Sequence, residues 1–134
     1  MKTFTLKLQD ATHAQVIAGV TSFVGEDDSG SFGILAGHQR IMASLVVGLA
    51  RFRVGNGDWR YLALPRAVLY FHHDVLNLST RRYLQDDDYM RISQALQEQL
   101  ITEEEQLHGM KESLQHMERE VLQRLWELNR QAPG

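Results

Sequence analysis

Cysteine is absent from the 134 residues, which excludes disulfides, thiol catalysis and thiolate zinc sites. That absence fits a reducing compartment. Basic residues are not in surplus either: 14 Lys and Arg stand against 17 Asp and Glu, a formal net charge of -3. A binder of phosphate backbones needs a cationic excess, so nucleic acid is not an expected partner. Also missing is any apolar run near the ~20 residues that span a bilayer. The longest, "IMASLVVGLA" from Ile41 to Ala50, is about half that and meets Arg51 and Arg53 at once. The opening "MKTFTLKLQD" alternates and lacks the apolar centre of a signal peptide. A cytoplasmic protein is expected, and any service to a membrane machine comes from outside the lipid. No internal repeat or low-complexity tract stands out.

A chain of this length makes one domain, or a domain with an appendage. It buries roughly two thirds of its unfolded surface and folds without a disulfide or a metal. Up to about Ser79 it reads as short β-branched and aromatic runs broken by turn residues. Phe4, Leu6 and Leu8 share one strand face, with Thr3, Thr5, Lys7 and Gln9 on the other. "GVTSFVG" is closed by the turn "EDDSG". "LARFRV" puts Phe52 and Val54 inward and Arg51 and Arg53 outward, and "WRYLAL" returns after "GNGD". "AVLYF" and "VLNLS" make another hairpin around "HHD". The pattern predicts a small β-sandwich or flattened barrel.

Beyond "STRRYLQDDD" the period changes. Tyr89, Ile92, Leu96, Leu100 and Leu107 lie close to one helical stripe, capped by Asp86 to Asp88. Met110, Leu114, Met117, Val121, Leu125 and Leu128 form a cleaner one. Gly109 between them is where a first helix stops and the chain reverses. The expected architecture is α+β: a β-sandwich over 1–84 and an antiparallel two-helix hairpin over 85–134. Leu122 and Trp126 add a second apolar strip, wider than one helical partner requires, and so a candidate partner-facing surface.

"GSFGILAGHQRI", from Gly30 to Ile41, raises the question of chemistry. A phosphate loop needs Lys then Ser or Thr opening a helix; His38, Gln39 and Arg40 stand there instead. A tight corner between strands fits better, and its apolar residues then need a partner. His72 and His73 are adjacent, so they point to opposite faces and do not chelate one ion. Asp86 to Asp88 lack the spacing of a calcium loop. Ser22, Ser29, Ser31 and Ser44 have no nucleophile elbow. Neither a catalytic residue nor a metal site is expected.

Together the sandwich, the corner Gly30, Gly33, Ile34, Leu35, Gly37 and His38, the "LVVGLARF" and "VLNLSTRR" strands and the C-terminal helices resemble one family. It is the epsilon subunit of F-type rotary ATP synthases, called delta in mitochondria. The resemblance covers nearly the whole chain. It implies a non-catalytic rotor subunit of the central stalk, coupling the gamma subunit to the membrane c-ring in ATP synthesis or hydrolysis. Ser31, Phe32, Gly33, Ile34 and His38 would face the polar loops of the ring, and one side of the sandwich would grip gamma. The expected location is the cytoplasmic face of the bacterial inner membrane, peripheral to it.

Some features depart from the family. Ser31 stands where an acidic residue is usual, Ala36 where a proline is, and Pro65 and Arg66 where small glycines are. These point to a divergent branch, such as the alternate F-type ATPases whose rings take sodium. In some members the helices bind ATP as a regulatory ligand. Asp88 and Arg91 match that motif's spacing and Arg124 one of its later basic residues, whereas Ile92, Arg82 and Glu120 depart from it. No cofactor is otherwise implied. A competing reading is an adaptor, with a peptide-binding β-domain and a self-associating helical hairpin.

Overall fold

The computed structural model describes residues 2–131, with side chains from 2 to 128. Nine strands form one hydrogen-bonded sheet that folds over on itself. They are β1 Phe4–Gln9, β2 Ala14–Asp27, β3 Gly30–Ile34, β4 Ile41–Leu45, β5 Gly48–Val54, β6 Arg60–Leu64, β7 Ala67–His72, β8 Val75–Thr80 and β9 Leu84–Asp86. The strand order is β4-β7-β8-β1-β2-β5-β6-β9, with β3 paired to β2. Only β1 and β8 run parallel; the other pairings are antiparallel.

The long strand β2 turns the sheet into a sandwich. It pairs with β1 up to Val20, then with β5 and β3 from Val20 to Asp27. The register slips against both β1 and β5 around Val20, beside Gly19 at φ 74°. A strand that changes sheets needs such an irregularity to bend. Phe4, Leu6, Leu8, Val20, Phe23, Phe52, Leu69, Phe71, Leu76 and Leu78 then meet in one core. The alternation expected for "FTLKLQ" holds, and Ala50 and Phe52 of β5 face inward.

A second, smaller core lies on the outer face of β5, β6 and β9. Ala63 sits between the inward Leu62 and Leu64, yet it is fully buried because Ile92 and Leu100 cover it, with Leu49, Tyr61, Leu84 and Leu96 around. Ile92 belongs to α1, Tyr89–Ala95. The helix continues without a break through a π-helical stretch, Leu96–Ile101, into α2, Thr102–Gln131. In an α-helix residues four apart drift by about 40°. The wider π turn removes that drift and returns Leu100 to the face that Ile92 and Leu96 occupy.

One expectation changes. The reversal at Gly109 does not occur, since Gly109 lies inside α2 with no neighbour within 4 Å of its Cβ direction. In place of a hairpin, helix runs from Tyr89 to Gln131. A glycine costs an exposed helix only about 1 kcal/mol, too little to stop it when Met110 to Gln131 are good helix formers. The compact units divide between Ile101 and Thr102. The sequence break in period marks where the helix starts, and the packing of Ile92 and Leu100 decides where the first unit ends.

Candidate functional site

The corner is built from β3, the turn that follows it, and the β7–β8 hairpin. On β3 the side chains alternate. Phe32 and Ile34 face the core, where Ile34 is fully buried, while Ser31, Gly33 and Leu35 share the outer face. Leu35, at 61% exposure, is therefore the apolar residue that the corner presents, and Ile34 is not available to a partner. Phe32 is half-buried against the core rather than projecting. A period of two makes this unavoidable once Ile34 is inside.

The chain then turns. The His38 N–H donates to the Leu35 carbonyl at 3.1 Å, and Gly37 takes φ 80° within this turn. That φ is open to glycine and costly for a residue with a Cβ. Gly33, by contrast, has ordinary strand geometry, so of the two only Gly37 needs the freedom of glycine. Across the surface, His73 (φ 50°) and Asp74 (φ 55°) form the two-residue link between β7 and β8. Two successive left-handed residues are what so tight a hairpin requires, and Asp and His tolerate them better than most. The Asp74 carboxylate accepts the Gly37 N–H at 2.7 Å, and its carbonyl accepts the Thr5 N–H at 3.0 Å. The hairpin turn thus braces the glycine turn. His38 packs edge-on against Phe71, ring centroids 6.0 Å apart, and its Nδ1 lies 2.7 Å from the Gln39 carbonyl.

His72 and His73 do not point to opposite faces: His73 lies past the end of β7 with φ 50°. The two rings meet with centroids 3.7 Å apart and a 49° tilt, while burial together with His73 and Arg40 lowers the His72 pKa. Among the described residues no cluster of His, Asp and Glu could hold a metal. The sequence missed Asp74 as a brace, and it set Phe32, Ile34 and Leu35 together as apolar residues in want of a partner, of which only Leu35 is exposed. A long-range carboxylate contact leaves no local signal, whereas the inside-outside alternation of Ser31 to Leu35 was open to reading.

The other candidate residues do not share this place. Asp88 caps α1, accepting the Arg91 N–H at 2.9 Å. The Arg91 guanidinium makes a two-pronged pair with Asp86, Nε to Oδ2 at 2.6 Å and Nη2 to Oδ1 at 2.7 Å. These bonds hold the Asp86 carboxyl well below the usual carboxylate range. Both residues thus have structural work at the helix start. Arg124 belongs to α2, in the second unit, where Leu122 and Trp126 are 59% and 60% exposed.

A braced glycine turn with one exposed leucine, on the rim of a β-sandwich, defines a docking module whose chemistry is contact. Comparison with known proteins names the class. Residues 3–85 match the model of the β-sandwich domain of the ATP synthase delta/epsilon chain, and this chain belongs to that family. It is 30% identical over 82 residues to ATP synthase epsilon chain 2 of Cereibacter sphaeroides; the match covers 60% of this chain and 56% of that relative. Its fold is similar to a chain of the Euglena gracilis mitochondrial ATP synthase OSCP/F1/c-ring structure, with TM-score 0.60 and 17% identity over 73% of this chain and 64% of that one. A chain of the Tetrahymena thermophila mitochondrial ATP synthase central stalk and c-ring gives TM-score 0.53 and 12% identity over 63% and 69%. No helix among the described residues is long and apolar enough to cross a membrane.

Proposed function

We propose that this chain is a non-catalytic rotor subunit in the central stalk of an F-type ATP synthase. Its sandwich grips the gamma subunit, and its corner docks on the polar loops of the membrane c-ring. It thereby passes torque between the two during ion-driven ATP synthesis or hydrolysis, proton or sodium being the ion. It sits peripherally at the cytoplasmic face of the bacterial inner membrane. The observation that carries this reading is the corner, where Asp74 holds Gly37 in a left-handed turn and leaves Leu35 exposed. A torque-bearing contact needs a stiff projection, and a turn tied to a second hairpin supplies one. The family match over the sandwich and the two central-stalk and c-ring fold relatives support the assignment.

A tagged copy expressed in its native host should bring down a gamma homologue and a membrane ring. Recovery only as a free chain with no affinity for gamma would sink the reading. The exposed stripe of α2, Leu107, Met110, Leu114, Met117, Val121, Leu125 and Leu128, favours a role for the helix in partner contact. In the rotor reading that contact regulates hydrolysis; in the adaptor reading it joins copies of the chain. ATP as a ligand of Asp88 and Arg91 would have to displace the Asp86 carboxylate from Arg91.

A further inference from the structure

Among the described residues, one arginine beside the corner, Arg53, has a buried side-chain nitrogen without a partner. Arg53 and Arg51, two apart on β5, both stack on the Trp59 ring, with Cζ 4.2 and 4.4 Å from its centroid. The stacking fixes Arg53 in place. Its Nε is shut off from solvent and has no hydrogen-bond acceptor among the described residues. A buried donor left in that state is costly. Arg53 also lines a surface cleft with Lys2, Ser22, Leu35 and Asn56. Both charged residues on that wall are cations, in a chain whose formal net charge is -3. The neighbouring Thr21 hydroxyl donates to the Gly55 carbonyl at 2.7 Å. Leu35, the exposed residue of the corner, lines the same cleft, so whatever meets Leu35 meets Arg53 as well.

We propose that this cleft receives an Asp or Glu side chain from the surface on which the corner docks, with Arg53 as its anchor and Leu35 covering it from water. This rests on the rotor reading, in which that surface is the polar loop of the ring. A planar guanidinium held by stacking suits a planar carboxylate. A lipid phosphate would be better served by a broad field of mobile lysines, and no such field lines this cleft.

The test measures binding of the full chain to the purified ring and, separately, to gamma. Arg53→Gln should weaken ring binding about tenfold or more, which is about 1.4 kcal/mol. Arg53→Lys should recover part of the loss, and Lys2→Gln should weaken binding less. Gamma binding should stay unchanged in all three, which also shows that they fold. Raising salt from about 50 to about 500 mM should narrow the gap between wild type and Arg53→Gln. Replacing loop carboxylates of the ring by amides one at a time should reveal one that weakens wild type but not Arg53→Gln. Wild-type affinity in Arg53→Gln, or no coupled loop carboxylate, overturns the inference and leaves the rotor reading standing. Arg53-dependent binding to vesicles of phosphatidylglycerol and phosphatidylcholine without any ring overturns it in favour of a lipid phosphate. A wild-type chain that binds neither ring nor gamma takes both down.

Discussion

Gly33 and Gly37 stand four apart in one motif and do different work. Gly37 has φ 80°, so Gly37→Val should cost on the order of 1–3 kcal/mol. The melting temperature should fall by several degrees, and coupling of hydrolysis to ion pumping should weaken in the assembled enzyme. Gly33→Val should be nearly neutral in melting, because the nearest atom to its Cβ direction is the Phe23 carbonyl at 3.8 Å. Equal losses in the two variants would mean that the corner needs glycine for some reason other than backbone angle. At the helix start, Asp86 has a depressed folded pKa, set first by its hydrogen bonds from Arg91. Its contribution is fully present above the unfolded value of about 3.9 and fades as pH falls through the folded one. Asp86→Asn should therefore be slightly less stable than wild type at pH 7. The difference should shrink only below about pH 4. The effect should be small because the Arg91 side chain is 66% exposed and its ion pairs are screened. A difference that grows on acidification would contradict the pairing.

At the scale of the element, α2 carries the clearest departure from expectation. If Gly109 closed a turn between two helices, an added methyl group would disturb it. As a helix-interior residue with open space around it, Gly109→Ala should instead stabilise α2 by about 1 kcal/mol. Far-UV circular dichroism of the full chain should show equal or higher helicity and a later helix melt. A loss of helicity would restore the hairpin. The π-helical stretch Leu96–Ile101 answers a different demand, keeping Leu100 over Ala63.

For the whole molecule, the boundary after Ile101 decides how the chain tolerates truncation. Ending the chain at Ile101 keeps Ile92 and Leu100 on Ala63, and that fragment should fold and bind gamma like the full chain. Ending it at Gln85 bares Ala63, Leu49 and Leu84, and removing a fully buried Ile or Leu alone costs 2–5 kcal/mol in comparable cores. The shorter fragment should melt clearly lower. Indistinguishable melting of the two would mean that α1 is not part of the folded unit. Under the rotor reading, the complex reconstituted with the 1–101 fragment should hydrolyse ATP faster than with the full chain. Unchanged hydrolysis would leave α2 a structural element without a braking role.

The sequence alone determined much of this protein, because each such feature is local and periodic. The alternation of Phe4, Leu6 and Leu8, the "HHD" hairpin, the Asp88 cap and the change from a two-residue to a helical period are all set within a few residues. The corner motif was legible for the same reason, and with it the family. The alternation of Ser31, Phe32, Gly33 and Ile34 was legible too, but only the tertiary structure decided that Phe32 stays half-buried against the core. It also decided that Asp74 reaches Gly37 across 37 positions, and that Arg53 lies beside Leu35 in one cleft. Nor could local preference say whether Gly109 bends the chain. A penalty of about 1 kcal/mol is smaller than what thirty residues of helix can absorb.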